Sequence, residues 1–311
     1  MTNTTRYYSA PGKFLITGEY LILEGAEGLA LPLKAGQSLK IELIDDKGSQ
    51  LVWTAVSPEG EWFSGTFRLP SFDFETVTDE SFAERLVEIL KTVRYLNPGF
   101  LLSGSYQVKT VLDFNPEFGF GSSSTLIANL ARWADVDAFE LQRLTFKGSG
   151  YDIAVALEGK PIVFKLRQTK PVYHSVKFNA PFSNNIYFVY LGKKRRSLEA
   201  VKQFKETAVF SRADIDTVTT ITREIINSGS LQQFEKLLKE HELLMSKILK
   251  TPTIGRQLFN SYTGGVVKSL GAWGGDFVLV TSQQKPEEFK QEMNQRGFKT
   301  IYCFDELVMT K

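Results

Sequence analysis

Residues 116–124 read PEFGFGSSS and lie between a predicted strand, Tyr106 to Leu112, and a predicted apolar helix, Thr125 to Trp133. Glycines let a backbone turn so that successive N–H groups converge, and the N-terminus of the following helix carries about half a positive charge. Both features favour a bound phosphate, to which the hydroxyls of Ser122 and Ser123 add hydrogen bonds or a magnesium ligand. The bare pattern also fits a structural Gly/Ser turn that begins a helix.

Two common nucleotide-binding patterns are missing from the sequence. It contains neither a G-x-x-x-x-G-K-[ST] phosphate loop nor a G-x-G-x-x-G dinucleotide fingerprint. An ordinary P-loop or Rossmann enzyme is therefore disfavoured.

Three further segments carry residue types that suit phosphate chemistry. Lys13 lies in SAPGK near the start of a predicted strand, Asp152 follows a glycine turn in GSGYDIA, and KSLGAWGGD at 268–276 precedes the predicted strand Phe277 to Thr281. Taken singly, each has a plainer interpretation as a solvated lysine, a helix N-cap and a helix-to-strand turn.

Taken in order, the four segments resemble the motifs of the GHMP kinases, the family of galacto-, homoserine, mevalonate and phosphomevalonate kinases, and are most similar to the last two. SAPGKFLITGEYLILEG at 9–25 resembles the opening motif, and PEFGFGSSS resembles the phosphate loop P-x-x-x-G-L-G-S-S. GSGYDIA resembles the S-G-x-D segment of mevalonate kinases, and KSLGAWGGD is similar to K-P-S-G-A-G-G-G-D. The resemblance implies an ATP-dependent transferase of the mevalonate pathway of isoprenoid biosynthesis, with ATP and Mg²⁺ as cofactors.

The resemblance also implies catalytic roles. Asp152 would be the general base that accepts a proton from the acceptor's hydroxyl or phosphate, and Lys13 would support the charge of the transferred phosphoryl group. Phosphoryl transfer asks mainly for positioning and charge neutralisation, so a carboxylate, a lysine, a metal and an amide-lined loop suffice. Neither His174 nor His241 is required, and we expect each to be a surface or packed residue.

The implied cofactor ligands lie in the loop and before the catalytic aspartate. Many family members hold magnesium with a glutamate shortly before that aspartate, and the nearest here is Glu140, one position farther than usual. Ser122 and Glu140 are thus the candidate metal ligands. The candidate ATP-binding residues are Pro116, Gly119, Gly121, Ser122, Ser123 and Ser124.

The implied acceptor-binding residues come from three segments. They are Glu19 and Tyr20 of the opening motif, Lys193, Arg196 and Ser197 of a basic strand-to-helix turn, and Gly271, Ala272 and Gly274 of the last motif. Cations suit a substrate phosphate through charge-assisted hydrogen bonds, which favours an anionic small-molecule acceptor. The basic turn also fits an ordinary solvated loop at a helix start.

Several positions depart from the family pattern. Only two residues separate Pro116 from Gly119, one fewer than usual, and Phe120 replaces a leucine. Leu270 and Trp273 stand in place of Ser and Gly, and a tryptophan there predicts a narrower site.

Length and composition set the architecture. At 311 residues the chain exceeds one usual core, so we expect an α+β protein with the two-domain GHMP kinase fold. Residues 1–175 would form the ATP-binding domain, a mostly antiparallel sheet with helices, and residues 176–311 a ferredoxin-like α/β sandwich. Early predicted elements include strands at Phe14 to Ile16 and Tyr20 to Leu23 and a helix from Asp79 to Tyr95.

Composition also limits the partners. A net charge of +2 argues against nucleic-acid binding, and a single cysteine, Cys303, precludes an internal disulfide. Without a signal-peptide pattern or a run of ~20 apolar residues, we expect a cytoplasmic protein with no membrane partner. A monomer and a homodimer both remain open, as do three functions: a mevalonate-type kinase, a sugar or homoserine-type kinase, and an inactive nucleotide-binding homologue.

Overall fold

A computed structural model describes residues 5–193, 197–273 and 275–310. The chain divides into two compact units whose segments interleave along the sequence. The first comprises the described parts of Met1–Gly12, Ala35–Pro116 and Phe120–Leu157, and the second those of Lys13–Lys34, Glu117–Gly119 and Glu158–Lys311. A single domain boundary at residue 175 stays a prediction.

Strands dominate the first third of the chain and helices the last third. The strands are β1 Thr5–Leu15, β2 Gly28–Asp45, β3 Ser49–Ser57, β4 Gly60–Arg68, β5 Asp73–Val77, β6 Gly104–Leu112, β7 Ile162–Arg167, β8 Lys170–Ser175, β9 Ile186–Tyr190, β10 Val267–Ser269, β11 Phe277–Thr281 and β12 Ile301–Cys303. The helices are α1 Glu80–Leu96, α2 Ser122–Ala134, α3 Ala138–Thr145, α4 Tyr151–Glu158, α5 Ser197–Thr207, α6 Arg212–Ile226, α7 Leu231–Leu249, α8 Ile254–Leu258, α9 Pro286–Gln295 and α10 Phe304–Leu307.

The first unit contains a sheet in the order β5-β4-β3-β6-β2, in which only the β3–β6 pair is parallel. Helix α1 begins after Asp79, whose side chain accepts a hydrogen bond from the Phe82 amide, as the sequence predicted. Its apolar face packs together with α2 around Trp53, Phe63 and Phe67 of β3 and β4. The mostly antiparallel first sheet is thus confirmed.

The second unit contains a separate sheet in the order β10-β11-β9-β12, with every neighbouring pair antiparallel. Numbered by their sequence within this sheet, the strands lie in the order 2-3-1-4. Helices α5 to α8 connect its first two strands, and α9 connects its last two. This is the split β-α-β order of a ferredoxin-like sandwich, so that prediction is confirmed. Strand β7 also pairs in this unit with residues 28–30 of β2 and with β8.

The predicted strand from Tyr20 to Leu23 is wrong. Leu21–Glu24 forms a 3-10 turn, preceded by Tyr20 with a φ of 60°. Leu21 and Ile22 are adjacent in sequence and both buried. A short apolar run without alternation does not distinguish a strand from a buried helical turn.

None of the helices in the described part of the chain is both long and apolar enough to cross a lipid bilayer.

Candidate active site

The loop after β6 enters α2 through two glycines in the left-handed region. Gly119 has a φ of 66° and Gly121 a φ of 94°. Gly121 is the N-cap residue of α2, and its lack of a side chain leaves the first amides of the helix without a side-chain cap. Ser122 is half-buried and Ser123 exposed. This end of α2 therefore offers N–H groups and two hydroxyls to an anion.

Ser124 lies differently from its two neighbours. It is buried, and its hydroxyl donates a hydrogen bond to the Gly121 carbonyl oxygen over 2.8 Å. Its side chain therefore shapes the loop, so its predicted part in phosphate binding falls to its backbone amide.

Helix α2 is anchored just behind the loop. Gln37 Oε1, on β2, accepts a hydrogen bond from the Thr125 hydroxyl over 2.8 Å, and the backbone carbonyl oxygen of Gln37 accepts one from Asn129 Nδ2 over 2.9 Å. All three side chains are buried. Because buried hydrogen bonds of this kind resist competition from water, the start of the helix is held firmly.

In the second unit, Lys13 and Asp276, the last residue of KSLGAWGGD, both lie next to Gly119. The Lys13 ammonium donates a hydrogen bond to the Gly119 carbonyl oxygen over 3.0 Å. A Cβ atom on Gly119 would lie 1.9 Å from Asp276 Oδ2. Glycine is therefore required here both for the close approach of Asp276 and for the positive φ.

The residue after Lys13 fixes the strand that carries it. Phe14 is buried, its ring stacking on Phe188 at a centroid distance of 4.7 Å and meeting Phe277 edge-on at 5.5 Å. Successive side chains of a strand point to opposite faces, so anchoring Phe14 turns half-buried Lys13 the other way.

Asp152 lies in the first turn of α4 and is half-buried. Its Oδ1 accepts hydrogen bonds from Gln142 Nε2 over 2.9 Å and from the Ile153 amide over 3.1 Å. Within the described ranges its Oδ2 accepts none, which leaves one carboxylate oxygen oriented but open. Gln142 is a buried residue of α3 that stands in no recognisable sequence motif.

Glu140 is poorly placed to bind a metal ion. Both of its oxygens contact Arg143, at 2.8 and 2.5 Å, and this hydrogen-bonded partner lowers the pKa of Glu140. The part of the chain that the structure describes holds no cluster of three His, Cys, Asp or Glu side chains suited to a metal. Magnesium usually relies on one or two protein ligands together with substrate phosphates and water, and the open Ser122 hydroxyl fits that arrangement better than Glu140.

Tyr20 and Trp273, from the first and last motifs, pack against each other. The Trp273 amide donates a hydrogen bond to the Tyr20 hydroxyl over 2.9 Å, and the Tyr20 ring stacks on Phe204 at 5.1 Å. Both side chains are buried and line a cavity of about 20 Å³. This space holds no more than a water molecule, so the indole fills an apolar cluster.

Glu19 is likewise inside the protein, at 1% exposure. Its Oε1 accepts a hydrogen bond from Lys268, and its Oε2 lies 3.3 Å from His241 Nε2. Burial raises the pKa of Glu19 to about 7, against the opposing effect of Lys268. The sequence predicted that His241 would be a surface or a packed residue, and it is packed. Its acidic and basic neighbours were not predicted.

The remaining predicted acceptor residues are only partly described. Lys193 is exposed, Gly271 has a φ of 59°, and the Ala272 carbonyl oxygen accepts a hydrogen bond from the Gly275 amide. Ser197 begins α5. Arg196 and Gly274 lie outside the described residues.

Two groups of predicted residues thus emerge, one in each unit. In the second unit Lys13 lies at Gly119, together with Asp276, the last residue of the KSLGAWGGD segment. In the first unit Gly12 lies against the loop, since a Cβ on it would be 3.0 Å from the Phe120 carbonyl oxygen. The meeting of Asp152 with the loop serines stays a prediction.

No protein-family model matches the chain, and no curated protein matches it by sequence. Solved structures do match its fold. Mevalonate kinase from Methanococcus jannaschii is 16% identical, with a TM-score of 0.71 and 99% of each chain covered. Phosphomevalonate kinase from Streptococcus pneumoniae, in complex with phosphomevalonate and AMPPNP, is 15% identical, with a TM-score of 0.70 over 96% of this chain and 99% of that one. Galactokinase from Lactococcus lactis, complexed with galactose, is 13% identical, with a TM-score of 0.67 over 98% and 93%.

Over nearly its whole length the chain therefore has the α+β fold of the GHMP kinases. The matched structures include mevalonate and phosphomevalonate kinases, the two members whose motifs the sequence resembles most. At these identities the likeness concerns the fold, and activity has to be argued from the site.

Proposed function

We propose that this protein is an ATP- and magnesium-dependent kinase that transfers the γ-phosphoryl group to a hydroxyl or phosphate of a small, anionic, mevalonate-type acceptor. The observation that carries the proposal is the start of α2, where two left-handed glycines precede an N-terminus with no side-chain cap. The chain also has the fold of solved kinase structures, one of which is a phosphomevalonate kinase in complex with phosphomevalonate and AMPPNP.

The loop supports ATP binding through backbone groups. N–H donors and the positive end of the α2 dipole would hold the phosphate oxygens, and the Ser122 hydroxyl would be a magnesium ligand beside them. Bound magnesium neutralises phosphate charge. The anchoring of α2 by Gln37 means that these donors are in place before a ligand arrives.

Asp152 is suited to receive the acceptor's proton. Gln142 holds Oδ1, so Oδ2 has a defined direction and remains free to accept. Lys13 supplies a positive charge next to Gly119, where it would support the charge of the transferred group. The proton transfer itself requires no histidine.

The acceptor class follows from the motifs and from Lys193, an exposed cation in the turn after β9. A phosphate or carboxylate on the acceptor would match it. Because galactokinase shares the fold, a sugar acceptor is the second candidate.

The test is turnover with ATP and magnesium on mevalonate, phosphomevalonate, galactose and homoserine. We expect phosphorylation of one of the two mevalonate compounds and, in Asp152→Asn, a loss of about 10²- to 10⁴-fold in kcat with ATP binding retained. Asp216→Asn, on an exposed ion pair of α6, is the matched control and should be fully active. Turnover on galactose alone would show that the acceptor is a sugar and not a mevalonate-type compound. Full activity of Asp152→Asn would refute the role of Asp152 as the general base.

A further inference from the structure

Four ionisable side chains are buried together in the second unit. Glu19, His241, Glu242 and Lys268 are each at most 3% exposed. Burial and the neighbouring Lys268 hold the pKa of His241 well below its usual range, so the imidazole is neutral. With both acids ionised, two carboxylates would face one ammonium in an apolar interior, which leaves one buried negative charge without a counterion. The cluster therefore favours taking up one proton.

The contacts of His241 indicate where that proton lies. The Gly18 amide donates a hydrogen bond to His241 Nε2 over 3.1 Å, so this nitrogen carries no hydrogen. Glu19 Oε2 lies 3.3 Å from the same nitrogen and has no hydrogen-bond partner among the described residues. An ionised Oε2 would place a negative charge against the nitrogen lone pair that also accepts from Gly18, and a hydrogen on Oε2 that shares this lone pair relieves the repulsion. The imidazole hydrogen then lies on Nδ1, which has no hydrogen-bond partner among the described residues.

Glu242 has more hydrogen-bond donors around it than Glu19, whose Oε1 accepts from the Lys268 ammonium and whose Oε2 has no partner among the described residues. Its carboxylate accepts hydrogen bonds from the Ser269 amide over 3.1 Å, the Ser269 hydroxyl over 3.2 Å and the Ile254 amide over 3.3 Å. Three donors favour its charged form. Burial nevertheless raises the pKa of both acids, that of Glu19 to about 7. Glu19 is thus the acid that keeps the proton.

Two of these four residues also form hydrogen bonds with Ser269, near the start of the segment KSLGAWGGD. Glu242 holds the amide and hydroxyl of Ser269, and the Lys268 ammonium donates to the Ser269 carbonyl oxygen over 2.8 Å. Further along, Tyr20, the residue after Glu19, holds the Trp273 amide. The segment then leads to Asp276, which lies against Gly119.

We propose that Glu19 carries a proton on Oε2 at neutral pH, directed at His241 Nε2, and that Glu19, His241, Lys268 and Glu242 form a brace that positions residues 269–273 and Asp276 for phosphoryl transfer. Glu19 and Lys268 are then positioning residues, whereas the sequence resemblance implied an acceptor contact for Glu19. The catalytic part rests on the proposed kinase function, but the protonation part does not.

Nitrogen NMR of the full chain labelled with ¹⁵N-histidine tests the protonation directly. The chain has two histidines, so His174→Gln, on the exposed strand β8, assigns the spectrum. We expect the His241 tautomer with hydrogen on Nδ1, and an Nε2 resonance that shifts with a midpoint near pH 7 as Glu19 ionises. In Glu19→Gln that shift should vanish. A hydrogen on Nε2 throughout, or the same titration in Glu19→Gln, overturns the proposal, and the wild-type spectrum alone decides the tautomer should the variant not fold.

Steady-state kinetics test whether the brace positions the segment, with the acceptor that the substrate panel identifies. Lys268→Met should lower kcat by about tenfold or more while the KM for ATP stays within about twofold, because the loop is misplaced and not removed. Glu19→Gln mimics the protonated acid, so it should retain activity at pH 6 and lose the wild-type change in kcat near pH 7. Lys236→Met, an exposed lysine of α7, is the control. Wild-type kcat in Lys268→Met, or an unaltered pH profile in Glu19→Gln, sinks the positioning role. Absence of any kinase turnover would instead refute the proposed function and leave the NMR result standing.

Discussion

Gly119 shows how a single residue constrains the candidate site. Gly119→Ala would set a methyl group 1.9 Å from Asp276 Oδ2 in a backbone with a φ of 66°. We expect a loss of about 2–4 kcal/mol in the free energy of unfolding, from overpacking together with left-handed strain. Urea denaturation measures it.

Gly159 supplies the control for that substitution. Its φ of 63° is nearly the same, but no atom lies within 4 Å of an added Cβ, so Gly159→Ala should cost only about 1–2 kcal/mol. Adding Asp276→Ala to Gly119→Ala should recover the difference. Equal effects of the two alanines would show that Asp276 does not approach Gly119 as described.

Gln142 is the residue on which the orientation of Asp152 depends. Gln142→Leu keeps much of the volume but removes the donor to Oδ1, and a hydrogen bond to a charged group contributes about 1.5–3 kcal/mol. We expect kcat to fall about tenfold or more, with the KM for ATP unchanged. An unchanged kcat under steady-state assay would mean that the helix alone orients the carboxylate.

At this scale the sequence predicts roles for Lys13, Asp152 and the loop serines, because these residues stand in recognisable motifs, and the roles stay predictions. It did not indicate their partners. Lys268 is 249 residues from Glu19, and no local pattern couples two positions so far apart. Only the folded chain shows that Glu19 is enclosed by ionisable neighbours.

Among the elements, α4, which carries Asp152, depends on an arginine from α2. The Arg132 guanidinium donates hydrogen bonds to the carbonyl oxygens of Ala156 at 3.3 Å and Leu157 at 3.0 Å, in the last turn of α4, and to that of Ser9 in β1 at 2.7 Å. A cation at the C-terminus of a helix satisfies its free carbonyl groups and complements its dipole.

Arg132→Gln should therefore lower the free energy of unfolding by about 2 kcal/mol, since it leaves carbonyl groups of α4 without a donor. Arg212→Gln removes an exposed ion pair on α6 and should change stability by less than about 1 kcal/mol. Thermal unfolding of both variants compares them. Similar melting temperatures would show that α4 does not need this link.

Periodicity predicted the elements well where it was long. Helix α1 follows from regular apolar spacing and the capping residue Asp79. Strand β11 has no such period and follows from a short apolar run rich in β-branched residues after a glycine cluster. The prediction was wrong at Tyr20 to Leu23, where four apolar residues in succession carry no period. The strand β10 was also missed, because it has only three residues and includes buried Lys268, a residue type that is depleted in strands.

For the whole molecule, the Glu19 proton predicts an unusual dependence of stability on pH. Folded Glu19 holds its proton up to about pH 7, whereas the unfolded chain releases it near the ordinary value of 4.5. The folded state therefore binds more protons between these values, and stability falls as pH rises through this window. The effect amounts to roughly 3 kcal/mol.

Comparing wild type with Glu19→Gln isolates this effect. His241, with a lowered pKa, disfavours the folded state below about pH 6.5, and Glu27, whose pKa Arg223 and Lys165 lower to about 2, disfavours it in acid. Both are present in the two proteins. The variant should gain stability relative to wild type from pH 5 to pH 8, measured by urea denaturation at each pH, and a constant difference would contradict the shift.

The α+β fold class and the ferredoxin-like sandwich of the second unit could be predicted from the order of the elements along the chain. The interleaving of the units was not, because it results from long-range pairing such as that of β2 with β6 and β7. Composition along the chain changes little at Lys13, Lys34 or Glu158, where the units divide.

This interleaving has a practical consequence for dissecting the gene. A fragment that begins at Glu158 would contain Lys268 and His241. It would lack Glu19 and the residues of β2 that pair with β7. Its buried ammonium would then have no counterion from the opening motif. Supplying the residues around Glu19 as a separate peptide, or joining them by circular permutation, is the route by which such a piece would regain its native interior.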